Sequence, residues 1–144
     1  MIHSSMTATA FATAVFFSLV SAQTLVADNA PLTAPPDAPY AAVSDLVPLP
    51  DFIPGLGQLF VDPDTLPAGP FLGYDHDGKL VSTTYMIPLS MVTQEFNLGG
   101  LKAPAGTVDH VDMVYNAGHP GVEEPHLHVV LWNIPADQKS RVAK

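Results

Sequence analysis

The sequence predicts a mainly β protein: a small antiparallel sheet, sandwich or open barrel preceded by a proline-rich extended arm. Three observations predict it. Two β-prone runs, Phe71 to Tyr74 and Lys79 to Ile87, flank Asp75-His76-Asp77-Gly78, and an Asp-Gly pair between such runs is a hairpin signal. Val108 to Tyr115 alternates in part, and His126 to Trp132 is a compact apolar strand. Ten of the fifteen prolines fall between Pro31 and Pro70. Each fixes φ and removes a backbone donor, so that stretch is neither helix nor central strand throughout.

In chain order, residues 1–22 read as a secretory signal peptide. An apolar stretch from Ala8 to Val20 is followed by Val20-Ser21-Ala22, small enough at the right positions for cleavage before Gln23. The stretch is shorter than the ~20 residues that span a bilayer, so no stable membrane anchor is expected after cleavage. Its start lacks the usual Lys or Arg. The expected location is secreted or periplasmic. Residues 23–67 read as the arm. Pro31, Pro35, Pro36 and Pro39 make its first part extended. From Leu46 to Phe60 the prolines interleave with Leu49, Phe52, Ile53, Leu56 and Leu59, too apolar to stay in water. That part is expected to pack in short extended pieces along the edge of the core, or against a partner chain. Residues 68–136 read as a β-rich domain carrying the histidines, and 137–144 as a polar tail.

The composition narrows the chemistry. With 47% hydrophobic and 13% charged residues, the 144-residue chain is too apolar to be disordered throughout. Its net charge of −9 argues against a nucleic-acid partner, which calls for clustered Lys and Arg. The absence of cysteine excludes disulfides, thiolate metal ligands and a cysteine nucleophile. Any metal site must therefore use imidazole and carboxylate. Gly-x-Ser-x-Gly, Gly-x-x-x-x-Gly-Lys and His-Glu-x-x-His motifs are all absent. Asp75-x-Asp77-Gly78 resembles a piece of a calcium loop, but that frame puts Gly73 and Thr84 where carboxylates belong. It reads as a turn. The carboxylate pairs Asp62/Asp64 and Glu123/Glu124 read as solubilising charge.

Four of the six histidines lie within nineteen residues: His110, His119, His126 and His128. Strand residues two apart share a face, so His126 and His128 point together. His119 lies in the preceding loop between Gly118 and Pro120-Gly121, where the backbone can turn sharply. His110 and Asp112 share a face on the preceding strand, which a hairpin would set against the other. Three imidazoles with a carboxylate nearby suit a divalent transition metal: zinc, copper or iron. An open fourth position would permit Lewis-acid chemistry, the only reagent the sequence readily offers, and no catalytic residue can be assigned. The alternative is a non-enzymatic, self-associating structural or apolar-ligand-binding protein, with the histidines as hydrogen-bonded structure. A cupin site is incomplete here: Val129 to Trp132 follow His128 without a Glu, and no later histidine supplies the remaining ligand.

Asp109-His110-Val111-Asp112, Asn116-Ala117-Gly118-His119-Pro120-Gly121 and Pro125-His126-Leu127-His128, taken together, are similar to the TTHB210-like (DUF5602) family over about residues 68–133. The resemblance implies an exported bacterial β-rich protein of unassigned biochemical role. On that pattern His110, Asp112, His119 and His126 match. His128 stands where the family more often has Asp, and Val130 where it often has a second His. Family members usually continue well past the His-rich strand. A sheet shortened there exposes an edge, which favours a homo-oligomer.

Overall fold

The computed structural model describes residues 32–102 and 106–144. The expected signal peptide lies outside them. Among the described residues the backbone forms one open antiparallel sheet of seven strands. They are β1 (Ala41–Ala42), β2 (Phe52–Ile53), β3 (Gly57–Val61), β4 (Phe71–Tyr74), β5 (Leu80–Pro88), β6 (His110–Asn116) and β7 (His126–Trp132). Strand order is β1-β3-β4-β5-β7-β6, with β2 also paired to β3. The mainly β, antiparallel expectation is met, in its open form.

The predicted hairpin is β4–β5. Asp75 closes it by accepting the amides of Asp77 and Lys79 on its Oδ1, at 3.0 and 2.9 Å. This is an aspartate turn, in which a short acceptor side chain takes over backbone donors that the reversal leaves unpaired. Arg141 binds the other carboxylate oxygen, so Asp75 organises a turn, as the sequence reading has it.

Two segments set apart in the sequence reading join the core. Within residues 23–67, β3 pairs with β4 over Gln58–Val61 against Phe71–Tyr74. Its prolines punctuate short strands and the single-turn helix α1 (Val43–Leu46) without entering β3. Hydrophobic residues account for this: Val61 and Phe71 pack with Val43 and Met86 on one face, while Phe60, Leu72, Tyr74 and Leu80 pack on the other. At the far end, residues 137–144 are more than a polar tail. A 3₁₀ segment (Ala136–Val142) buries Val142 to 1% exposure against Trp132 and Ile134, while its Lys139 and Arg141 reach back to Asp112 and Asp75.

Candidate metal centre

The site is built on the β6–β7 hairpin. Register pairs Asn116 with His126 and Val114 with His128, so all four project from one face. The loop between the strands is folded by local chemistry. Asn116 Oδ1 accepts the amide of Gly118 at 2.9 Å, turning the chain as β6 ends. His119 and Val122 then exchange backbone hydrogen bonds of 2.9 and 3.0 Å around Pro120-Gly121. Proline followed by a residue of positive φ is the signature of a type II turn, and Gly121 has φ +94°. The turn swings the His119 ring back over β7.

The outcome is a convergence of three imidazoles. His126 Nε2 lies 3.2 Å from His119 Nε2 and 3.0 Å from His128 Nε2. A metal held at about 2.0–2.1 Å by tetrahedrally disposed nitrogens requires neighbouring nitrogens about 3.3 Å apart. His126 is fully buried, His128 nearly so, and His119 half-exposed.

Hydrogen bonding on the far side of the rings decides where the protons sit. His126 Nδ1 is 2.7 Å from the carbonyl oxygen of Glu124, and His119 Nδ1 is 3.0 Å from that of Pro120. A carbonyl only accepts, so in both neutral rings Nδ1 carries the hydrogen and Nε2 presents a lone pair. The 3.2 Å contact between those two nitrogens then contains no proton. His128 can donate to His126, but the neutral cluster has nothing to place between His126 and His119. Backbone carbonyls fixing Nδ1–H is also how metal-binding histidines are oriented. Burial, with the neighbouring His126 and His119 rings, pushes His128 down to about 4, so this ring keeps its lone pair available at neutral pH.

His110 and Asp112 do not join this cluster. They share its face, but register pairs them with Trp132 and Val130. At about 3.3 Å per residue this puts them roughly 13 and 7 Å along the strand from His128. His110 stacks on Trp132 and meets Asp109 at 2.8 Å. Asp112 pairs with Lys139 and accepts the Trp132 indole N–H at 2.9 Å. The Lys139 ammonium and the indole together hold its carboxyl below the usual range. Asp112 thereby clasps the C-terminal segment to the sheet. Register, which the spacing of residues within one strand does not contain, places these two expected site residues apart from the three imidazoles.

Two features of the site escaped the sequence reading. Asn116 stands opposite His126 and starts the loop; an Asn two residues before a Gly was its signal. A cavity of about 200 Å³ opens beside His119 and His128. It is roofed by Val43, Leu49, Ile53 and Leu56 from the proline-rich segment and floored by Phe71, Thr84 and Met86 of the sheet.

Neither a protein-family model nor a curated protein matches the chain. Among solved structures it is similar to the crystal structure of the hypothetical protein TTHB210 from Thermus thermophilus. Identity is 42% and the TM-score 0.58, over 66% of this chain and 87% of that one. With such identity across most of the relative's length, the chain belongs to the TTHB210-like family.

Proposed function

We propose that this is an exported β protein that binds one divalent transition metal through the Nε2 atoms of His119, His126 and His128. The observation that carries the reading is the 3.2 Å approach of two nitrogens that both present lone pairs, with a third 3.0 Å away. A shared cation resolves that contact. Donors that are all imidazole suit zinc, copper or iron over calcium or magnesium, which prefer oxygen. A metal held by three neutral imidazoles keeps a position open and supplies Lewis acidity there. Export to the periplasm or medium rests on the apolar run and the Val20-Ser21-Ala22 site near the N-terminus.

The test is to strip the purified protein with a chelator, then titrate Zn²⁺, Cu²⁺ and Fe²⁺ into it and into His119→Ala. That variant alters a half-exposed loop position and leaves the buried pair in place. One equivalent bound by the wild type and uptake at least tenfold weaker in the variant are expected. Equal, negligible uptake in both would refute the reading.

A second reading, self-association, has its own observation. β6 is an edge strand, and its outward-facing Val111, Met113 and Tyr115 are 53, 75 and 59% exposed. An apolar edge strand is a template for pairing with another copy. Light scattering on the wild type and Met113→Glu tests it: a dimer or larger assembly that dissociates in the variant is expected, and a monomer in both refutes it.

A further inference from the structure

The cavity beside the histidines has a chemistry of its own. Its roof and most of its floor are aliphatic or aromatic. Its polar groups come from Asn116, His119, His128 and Thr84. Thr84 sits two residues along β5 from Met86, the cross-strand partner of His128. The Thr84 hydroxyl is buried, the residue being 5% exposed, and its Oγ1 has no hydrogen-bond partner. Buried hydroxyls are nearly always paired, because leaving one unpaired forfeits its hydration without replacement. The Ser82 and Thr83 hydroxyls of the same strand also lack partners, but of the three residues only Thr84 lines the cavity, where a ligand's polar atom that reaches it would supply the missing partner.

We infer that this cavity binds a short-chain aliphatic monocarboxylate, its carboxylate on the histidine-bound metal and Thr84, and its hydrocarbon chain against Val43, Leu49, Leu56 and Phe71. The inference rests on the metal reading above and goes beyond it by naming the ligand class. Charge selects the head group: neutral imidazoles leave the full charge of a divalent ion on the site, so an anion completes it better than an alcohol or amide does. The apolar lining selects the chain, since a cavity with few polar atoms repays a ligand that sheds hydrocarbon surface from water. Volume selects the length. At ~30 Å³ for each water-sized volume, 200 Å³ holds about seven, which suits the eight non-hydrogen atoms of hexanoate.

The experiment uses the full chain, loaded with Zn²⁺ whose stoichiometry is measured first by equilibrium dialysis. Calorimetric titrations of acetate, hexanoate and hexanol follow, on the wild type, Thr84→Val and Leu56→Trp. Each of the four extra buried methylenes tightens binding about fourfold, so hexanoate should exceed acetate by roughly 250-fold. Hexanol, lacking the charge, should bind at least tenfold more weakly than hexanoate. Thr84→Val keeps the shape and removes the hydroxyl; hexanoate affinity should fall about three- to tenfold with zinc stoichiometry unchanged. Leu56→Trp fills the cavity from its roof and should abolish the advantage of hexanoate over acetate. Acetate and hexanoate binding alike, or hexanoate failing to bind zinc-loaded protein, would overturn the ligand assignment while the metal site stands. Failure of the protein to take up zinc at the dialysis step would remove the metal reading and this one with it.

Discussion

Replacing Asp112 with alanine separates the ligand role expected from its sequence position from the clasp in the fold. The carboxylate accepts from the Trp132 indole at 2.9 Å and pairs with Lys139. A hydrogen bond to a charged acceptor is worth about 1.5–3 kcal/mol. Asp112 is 39% exposed on its side chain, so water can replace part of that bond, and a value near 1–2 kcal/mol is appropriate. The half-exposed Lys139 pair adds only about 0.3 kcal/mol after solvent screening. Asp112→Ala should therefore lose about 1.5 kcal/mol in urea unfolding at pH 7, measured with chelator present so that metal does not contribute. Because the carboxyl is held below its ordinary range, its contribution is complete above that range and is lost as pH falls through the folded-state value. The gap between variant and wild type should thus close in acid. Zinc affinity should stay within about twofold of wild type, since the carboxylate reaches toward Trp132 and away from the three imidazoles. A tenfold loss of zinc affinity would make Asp112 a ligand and refute the account, and unchanged stability would refute the clasp.

Gly121→Ala should weaken zinc binding at least tenfold without touching a ligand. The residue has φ +94°, and an added Cβ would lie 2.9 Å from Val47 Cγ1, so either Val47 or the turn that carries His119 must shift; the backbone strain alone is about 1–2 kcal/mol and favours movement of the turn. Zinc affinity as strong as wild type would show that the turn does not position His119. Arg141→Ala should cost about 1–3 kcal/mol, because it strips a partner from the buried Asp75 carboxylate, which keeps its two amide donors. Burial alone would raise Asp75, but the Lys79 amide, Arg141 and the Asp77 amide outweigh it and leave the group lowered. Its contribution is therefore present above the ordinary carboxylate range and is lost as pH falls through the folded-state value, so the urea midpoints of variant and wild type should converge in acid; a constant gap would refute the pairing. Zinc affinity should also fall more than tenfold between pH 7.5 and 5.5, as protons compete with the metal for imidazole ligands. Equilibrium dialysis at the two values checks this, and a pH-independent affinity would exclude imidazole ligation.

Much of the fold was legible because its signals are local. The Asp75–Gly78 turn, the β-prone runs beside it and the strand from His126 to Trp132 each need only near neighbours to declare themselves. The segment from Leu46 to Phe60 was legible in part. Its apolar residues announce burial, and its prolines announce short pieces, but pairing of β3 with β4 depends on residues beyond the next turn. The candidate centre divides the same way. His126 and His128 share a face because strand side chains alternate, and His119 returns to them because Pro120-Gly121 makes a tight turn.

What the sequence by itself determined was the β class, the donor chemistry left when cysteine is absent, and the three histidines able to meet. What only the tertiary structure decided was the rest of the ligand question and the cavity. Cross-strand register sets His110 and Asp112 opposite Trp132 and Val130, because all seven pairs of the β6–β7 ladder are fixed together and sliding one would slide them all. The roof of Val43, Leu49, Ile53 and Leu56 comes from chain 63 to 85 residues before the histidines it covers. Its placement depends on burying apolar surface, a force with no direction along the chain, so no local pattern encodes which face of the sheet it will cover.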